Sequence, residues 1–441
     1  MDLIVGLGKT GKSIARYLKQ RQKSFAIFDT RAEVAGLTEF KQKFNETPIF
    51  LQKFPPALYQ QLERIILSPG VAPDEQFIQQ ALQYGLPIYG DIECLAQEIN
   101  VPVVAITGTN GKSTVTTIVG EMAKLAGFSV AVAGNIGTPV LELLDDGNNY
   151  NLWVIELSSF QLDLTYSLKP YIATILNISP DHLDRYPNLA AYSQSKQLIY
   201  NRAEFALYNR DDLATKPLHF KKNKLLAFGL DLPTTNNWGI VEKNGISYFA
   251  HGKNCLFPTA ELHINGKQNW QNALAACAIA TILGIDSKLQ IKILQNFIGL
   301  KHRCQWIRTL ANVSWVNDSK GTNVGATISA INGIGATIKG KIILIAGGIG
   351  KGADFNELRV PIAHYVRALV LIGQDANKIA AAVKDVVLVK MVNSLNEAVL
   401  QAQLVAMDYD LVLLSPACAS FDMFRDFNHR GEVFMQLVRA L

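Results

Sequence analysis

The sequence predicts an α/β protein of three domains, each built on a mostly parallel sheet, with a small β insertion in the middle one. Three observations carry this. Short apolar runs alternate with stretches whose apolar residues fall at helical spacing, and that alternation implies crossover helices between parallel strands. Glycine-rich or polar turns recur directly after the apolar runs, where open α/β sheets bind ligands. The alternation breaks once, over residues 228–264, where Asn244-Gly245 joins two short apolar segments in the manner of a hairpin. The units group as residues 1–90, 91–298 and 299–441.

With 441 residues, 49% of them apolar, the chain can bury several cores. Its 42 Lys and Arg outnumber 37 Asp and Glu, for a net charge of +5. They are scattered, without the dense basic run of a nucleic-acid binder, so small anionic ligands are the expected partners and nucleic acid is not. The cysteines (Cys94, Cys255, Cys277, Cys304, Cys418) are odd in number and form no C-x-x-C, the pattern of a reduced, cytoplasmic protein. No apolar run reaches about 18 residues, and Met1 leads into a glycine turn rather than a charged leader and signal segment; neither a membrane span nor secretion is expected.

The first domain opens as a strand over residues 3–5, then Gly6-x-Gly8-x-x-Gly11, then a helix to about Arg21. A second strand, residues 25–28, ends in Asp29-Thr30-Arg31. This Rossmann-like opening, taken alone, suggests NAD(H) and an oxidoreductase. The segment is too short for two mononucleotide halves, and a further strand, residues 64–67, ends in Ser68-Pro69-Gly70. A small nucleotide-recognition domain fits better, with turn amides, Asp29, Thr30 and Arg31 holding a base, ribose or diphosphate. The bland alternative for the glycines is tight strand–helix packing. Ile88-Tyr89-Gly90-Asp91 marks the boundary.

The second domain starts with a buried strand, residues 101–106, followed by Thr107-Gly108-Thr109-Asn110-Gly111-Lys112-Ser113-Thr114. Val115, Ile118, Val119, Met122 and Leu125 then fall at helical spacing, so a helix begins near Ser113. Strand, glycine turn, Lys-Ser, helix is a phosphate cradle. Glycines let backbone N–H groups crowd an anion, the helix N-terminus adds partial positive charge, Lys112 reaches outer phosphate oxygens and Ser113 can ligate Mg²⁺. It departs from the common P-loop, which needs glycine where Ile106 stands. Strands over residues 129–133, 152–157 and 171–178 end at Gly134-Asn135-Ile136-Gly137, at Glu156 before Ser158-Ser159-Phe160-Gln161, and at Ser179-Pro180-Asp181-His182-Leu183-Asp184-Arg185. Parallel pairing puts Lys112, Asn135, Glu156 and His182 along one edge. An acid ending an apolar strand is costly unless solvated, paired or metal-bound, so Ser113 with Glu156 suits one Mg²⁺. By composition alone, His182 is a capping or pairing histidine beside Asp181 and Asp184, and Lys196 a surface lysine on a helix. Asn269 and Asn272, opening an Ala-rich helix, either meet one ligand or cap the helix.

From Gly299-Leu300-Lys301-His302-Arg303 a third sheet is expected, with strands over residues 313–316, 341–346, 368–372, 386–389 and 411–414. The turns at residues 317–323, 347–352 and 415–421, with Lys320 and Lys351, point to a second anion-binding edge.

Five segments then occur in order: Gly108 through Thr114; Glu156-Leu157-Ser158-Ser159-Phe160-Gln161-Leu162; Asp181-His182-Leu183-Asp184-Arg185-Tyr186; His302-Arg303; and Asp318-Ser319-Lys320-Gly321-Thr322-Asn323. Together they resemble the ATP-dependent Mur ligases of bacterial peptidoglycan synthesis, and the likeness spans essentially the whole chain. It implies a uridine-nucleotide domain, a central ATPase domain and a C-terminal domain that closes on ATP binding. It implies ligation of D-glutamate to UDP-N-acetylmuramoyl-L-alanine through an acyl phosphate, by a cytoplasmic monomer. The runner-up is another Mur-type or folylpolyglutamate-like amide ligase with a different acceptor; an inactive nucleotide-binding scaffold is the rival of a different class.

By the same resemblance Gly8, Thr10, Asp29, Thr30, Arg31, Ser68 and Gly70 would contact the UDP part, with Asn135 and His182 near the muramoyl-alanine. Gly108, Thr109, Asn110, Gly111, Lys112, Ser113 and Thr114 would hold the ATP phosphates. Asn269, Asn272, Arg303, Asp318 and Lys320 would surround its adenosine side. Thr322, Lys351, Ser420, Phe421 and Phe427 would hold D-glutamate. Ser113 and Glu156 would serve one Mg²⁺. Lys196 moves from the surface to a second Mg²⁺, as a carbamylated lysine beside His182, and with Lys112 these two form the catalytic set. Two positions depart from the family pattern: Ile349 replaces an acidic residue in its glycine turn, and Phe421 a leucine.

Overall fold

The computed structural model describes residues 1–71, 76–264 and 266–441. It contains three α/β domains. The first sheet comprises β1 (Asp2–Val5), β2 (Phe25–Asp29), β3 (Ile49–Leu51), β4 (Arg64–Leu67) and β5 (Ile88–Tyr89), ordered β3-β2-β1-β4-β5 and parallel throughout. Val5 pairs with both Phe28 and Leu67, so the turns after β1, β2 and β4 open on one edge.

The middle sheet has nine strands: β6 (Val103–Thr107), β7 (Val130–Gly134), β8 (Leu152–Glu156), β9 (Ile172–Ile175), β10 (Phe205–Asn209), β11 (Leu225–Phe228), β12 (Trp238–Lys243), β13 (Ile246–His251) and β14 (Asn254–Pro258). Their order is β14-β13-β12-β11-β10-β9-β6-β8-β7, antiparallel only where β13 meets β12 and β14. Asn244 (φ +54°) and Gly245 (φ +74°) make the expected two-residue hairpin turn, which needs positive φ at both positions. Helices Lys112–Leu125 and Lys267–Ile282 bury Val115, Ile118, Val119 and Leu274 against the β6 residues Val104 and Ile106. The strand order turns back at β6, which lies between β9 and β8. That switch point is where an open α/β sheet leaves a crevice beyond its strand ends.

The third sheet comprises β15 (Gln305–Leu310), β16 (Val313–Asn317), β17 (Ile342–Gly347), β18 (Val366–Ile372), β19 (Leu388–Met391) and β20 (Leu411–Leu414), ordered β15-β16-β20-β17-β18-β19. Only the edge strand β15 is antiparallel to its neighbour. It was not expected from the sequence. Its turn is Ala311-Asn312, with φ of +46° and +61°, and alanine carries no hairpin signal because its Cβ disfavours that region. Among the described residues, no helix is long and apolar enough to cross a membrane.

Candidate active site

The register of the middle sheet assembles the centre of the site. Ile106 pairs with Glu156, and Glu156 with Gly134, so the phosphate loop, Glu156 and Asn135 lie side by side. The loop turns on Gly108 (φ +150°) and Gly111 (φ +82°). A Cβ at Gly111 would lie 2.3 Å from Asn272 Oδ1, so only glycine lets the loop pass that close to the Ala-rich helix. Asn177, which has no motif around it, braces the loop: its Oδ1 accepts the Asn110 N–H at 2.8 Å and its Nδ2 donates to the Asn110 carbonyl at 3.0 Å. Lys112 Nζ folds back to donate to the carbonyls of Gly108 (2.7 Å) and Thr109 (2.8 Å), and burial lowers its pKa. Ser113 and Thr114 are buried in the first turn of the helix.

Glu156 is buried, and Asn135 Nδ2 donates to its Oε1 at 2.9 Å. Its Oε2 has no hydrogen-bond partner. A buried carboxylate oxygen left bare is costly, and it suits a hard cation whose other ligands are hydroxyl and water oxygens. Ser113 Oγ supplies such a hydroxyl; at present it accepts from Arg303 Nη2 at 2.7 Å. No three His, Cys, Asp or Glu side chains converge on a metal position among the described residues.

Lys196 corrects the compositional expectation. It is not on the surface but buried, in helix Leu189–Gln197. Its Nζ lies 3.4 Å from Thr107 Oγ1 and 4.6 Å from the centre of the Tyr192 ring. The helix turns this face onto the end of β6, which a local hydrophobicity pattern does not reveal. Burial, with Lys112 nearby, pushes its pKa well below that of a free lysine, which favours the uncharged amine. His182 has φ +56° and sits edge-on to Phe160 at 4.8 Å. Its Nε2 is 3.7 Å from Asp181 Oδ2, and burial pushes its pKa down to about 4, so the ring is neutral at pH 7.

The third domain reaches this centre directly. Lys351 Nζ pairs with Asp181 Oδ1 at 2.5 Å, and Asn323 Nδ2 donates to Asp181 Oδ2 at 3.0 Å. Burial would raise the Asp181 pKa, but Lys351 and its other partners hold it below the usual carboxylate range. Asp318 accepts from Ser415 Oγ (2.7 Å) and the Cys304 N–H (3.1 Å), and burial pushes it up to about 6. Lys320 lies 3.9 Å above the Phe427 ring and is held down to about 7 by burial and by Arg303. Asn272 donates to Asn269 Oδ1 at 3.2 Å; Gly266 takes the cap position of their helix, so neither asparagine caps it. Arg303 stands at the phosphate loop, on Ser113. Ser420 is buried, Thr322 follows Lys320 in the same turn, and Phe421 is 70% exposed. Ile349 pairs through its backbone with Ala419, which ties the glycine turn to the turn at residues 415–421.

One further residue had no signal in the sequence. Arg430 is buried and donates to Ser319 Oγ (3.0 Å), Ser319 O (2.8 Å) and Cys418 O (3.2 Å). It binds the turn at residues 317–323 to that at 415–421. A periodic helix carrying two arginines, Arg430 and Arg439, does not announce which of them turns inward.

On the other side, a cleft of about 680 Å³ lies between the first sheet's edge and residues 134–137. It is lined by Gly8, Thr10, Asp29, Thr30, Arg31, Ser68, Gly70 and Asn135, but not by His182. The three glycines of the opening motif separate here. A Cβ at Gly11 would come within 1.9 Å of the Gly6 carbonyl, so Gly11 serves strand–helix packing; Gly8 has open space on the cleft side. The Asp29 carboxylate is not free. It accepts from the Leu7 N–H (2.7 Å), the Arg31 N–H (3.0 Å), Arg31 Nε (2.9 Å) and Arg31 Nη2 (2.7 Å). Against burial, these bonds hold its pKa down, and they aim the exposed guanidinium at the cleft mouth.

A phosphate loop at a switch point, flanked by cation-bearing turns from two further α/β domains, defines a three-domain nucleotide-dependent enzyme. The chain belongs to the Mur ligase family. Residues 1–90 match the family model "Mur ligase MurD-like, N-terminal domain", residues 106–280 the "Mur ligase middle domain" and residues 302–418 the "Mur ligase, glutamate ligase domain". The UDP-N-acetylmuramoylalanine–D-glutamate ligase of Legionella pneumophila (strain Paris) is 58% identical, covering 100% of this chain and 99% of the relative. That of Nitrosococcus oceani is 45% identical, with 100% and 96% covered. Among solved structures, a pseudomurein peptide ligase type C from Methanothermus fervidus aligns over 100% of this chain and 99% of its own, at 19% identity and a TM-score of 0.64. UDP-N-acetylmuramate-alanine ligase from Thermotoga maritima aligns over the same shares, at 18% identity and a TM-score of 0.60; both likenesses concern the fold.

Proposed function

We propose that this protein joins D-glutamate to UDP-N-acetylmuramoyl-L-alanine while converting ATP to ADP and phosphate, a step of cytoplasmic peptidoglycan precursor synthesis on which cell shape and division depend. The observation that carries this reading is the full-length identity to relatives named for that reaction. The site agrees with it in having a phosphate loop between two separate ligand edges.

The alanyl carboxylate attacks the γ-phosphorus of ATP, the bond to the β-phosphate oxygen breaks, and an acyl phosphate and ADP result. The free amine of D-glutamate then attacks the acyl carbon, phosphate leaves, and the nitrogen loses a proton. The first step brings two anions together. Like unit charges about 4 Å apart repel by roughly 1 kcal/mol in water but about 4 kcal/mol at an effective dielectric of 20. Lys112 and the amides of residues 108–113 neutralise and orient the phosphates, and positioning supplies most of the remainder.

Residues 1–90 hold the UDP portion along Gly8, Thr10, Thr30, Arg31, Ser68 and Gly70, with Asp29 aiming Arg31. Asn135 leads from that cleft to the reacting end beside Glu156. In residues 91–298, Ser113 and the bare oxygen of Glu156 would hold one Mg²⁺, which would supply charge neutralisation at the phosphates. The neutral amine of Lys196 is the form that adds to CO₂, forming an N–C bond and releasing a proton; the resulting carbamate, with His182, would hold a second ion. Asn269, Asn272, Asp318 and Lys320 face the nucleoside end, while Arg303 stands at the phosphates beside Ser113. In residues 299–441, Thr322, Lys351, Ser420, Phe421 and Phe427 receive D-glutamate, whose carboxylate replaces Asp181 as the partner of Lys351.

ADP release measured with UDP-N-acetylmuramoyl-L-alanine and a panel of amino acids tests the assignment. Turnover is expected with D-glutamate alone. Turnover only with another amino acid, or only with a folate acceptor, would refute it.

A further inference from the structure

Asp91 lies where the first domain joins the second, and it is 4% exposed. The preceding Gly90 donates its N–H to Leu164 O at 3.0 Å, which seats the join beside helix Ser159–Leu162. The Gln161 side chain of that helix hydrogen-bonds the Asp91 carboxyl. Gln161 Oε1 already accepts from the N–H and the hydroxyl of Ser158, each at 3.2 Å, so its amide NH₂ is the group turned to Asp91. The carboxyl also receives the backbone N–H groups of Ile92 and of Asp91 itself, while its buried oxygen Oδ1 has no hydrogen-bond partner, and no ion pair to Asp91 is formed among the described residues. Asp91 and Gln161 both line the 680 Å³ cleft, together with Asn135 and the Ser68–Gly70 turn. A carboxyl oriented by its neighbours in the wall of a ligand cleft, with one buried oxygen left without a partner, is a hydrogen-bond acceptor that a donor reaching into that wall would satisfy.

We propose that Asp91 recognises the sugar of the UDP-linked substrate, its Oδ1 accepting a hydrogen bond from a sugar hydroxyl or the acetamido N–H while Gln161 holds the carboxyl in place. This rests on the UDP-linked substrate lying in this cleft. The diphosphate belongs at the glycine turns and the reacting carboxylate beyond Asn135, so the stretch between them is the sugar, whose donors are neutral O–H and N–H groups. A carboxyl at this point accepts from those groups and disfavours a slipped register that would bring the diphosphate against it.

Asp91→Asn keeps the shape and removes the acceptor charge. It is expected to raise KM for the UDP-linked substrate by roughly tenfold, with kcat and the KM values for ATP and D-glutamate within about twofold. A purely structural role would shift all of these together with the thermal transition, and that result would overturn the proposal. Substrate analogues each lacking one sugar hydroxyl or the acetamido group give the second readout. One analogue is expected to bind the unmodified protein roughly tenfold more weakly and to bind Asp91→Asn no worse than the parent substrate does. If no analogue loses affinity for the unmodified protein, or if the losses add in the variant, the proposal fails; the first arm holds even if the variant does not fold. Arg31→Ala separates the two levels. If it raises KM for the UDP-linked substrate while Asp91→Asn does not, only the role of Asp91 is wrong; if neither does, the cleft assignment is wrong as well.

Discussion

Lys112→Ala is expected to lower kcat by about 10³-fold, roughly 4 kcal/mol of transition-state stabilisation, with little change in thermal unfolding. Three features set the size of the effect. The ammonium is inside the loop, within 2.7 Å of the Gly108 carbonyl, so no conformational search is needed to place it at the phosphates. Its bonds in this state go to loop carbonyls that water can satisfy on truncation, so the cost falls on the reaction rather than on the fold. Burial already lowers its pKa, and a triphosphate beside it would favour the charged form, so its interaction with the nucleotide is stronger than that of a solvated lysine. Steady-state ADP release, with circular dichroism as the fold control, checks this. A loss below about tenfold would remove Lys112 from the phosphate-binding role.

The second large effect is expected at Lys196. Lys196→Ala should cost on the order of 10²- to 10³-fold in kcat, and the unmodified protein should lose activity in CO₂-depleted buffer and regain it on adding bicarbonate. The variant should be indifferent to bicarbonate. The argument is electrostatic. A lysine this deeply buried, 3.4 Å from Thr107 Oγ1, forms no ion pair among the described residues, and burial shifts it toward the uncharged form. Left as an amine it contributes nothing to a phosphate site. As a carbamate it becomes an anion near Lys112, where an anion is useful to a cation. A mild effect of the substitution, or activity independent of CO₂, would leave Lys196 a packing residue.

What could be read in advance follows the length scale of the interaction. Lys112, Asn135 and Glu156 were legible as neighbours because parallel strands with similar ends must align them, and the register of β6, β7 and β8 does so. The hairpin at Asn244-Gly245 was legible because its turn chemistry is local. The burial of Lys196 was not, since helix Leu189–Gln197 has no strong apolar face to show which side turns inward. Nor were Asn177, Arg430 and the Asp91–Gln161 pair, whose roles arise from turns far apart in the chain meeting in space. The same holds for Arg303 on Ser113 and Lys351 on Asp181: each bond joins the third domain to the second, and no spacing within one element encodes it. Asp29 shows the opposite case. Its position at the end of β2 was recognised, but its carboxylate is spent on Leu7 and Arg31, so the contact that faces the cleft belongs to its neighbour.

The central claim is that a substrate carboxylate, not water, attacks ATP. UDP-N-acetylmuramoyl-L-alanine labelled with ¹⁸O in both alanyl carboxylate oxygens tests it directly. Attack by that carboxylate transfers one labelled oxygen to the phosphoryl group, so the released phosphate should carry one ¹⁸O and the new amide should keep the other. Phosphate released without label, with both labelled oxygens still on the alanyl carboxylate, would show that ATP is hydrolysed by water and would contradict the account.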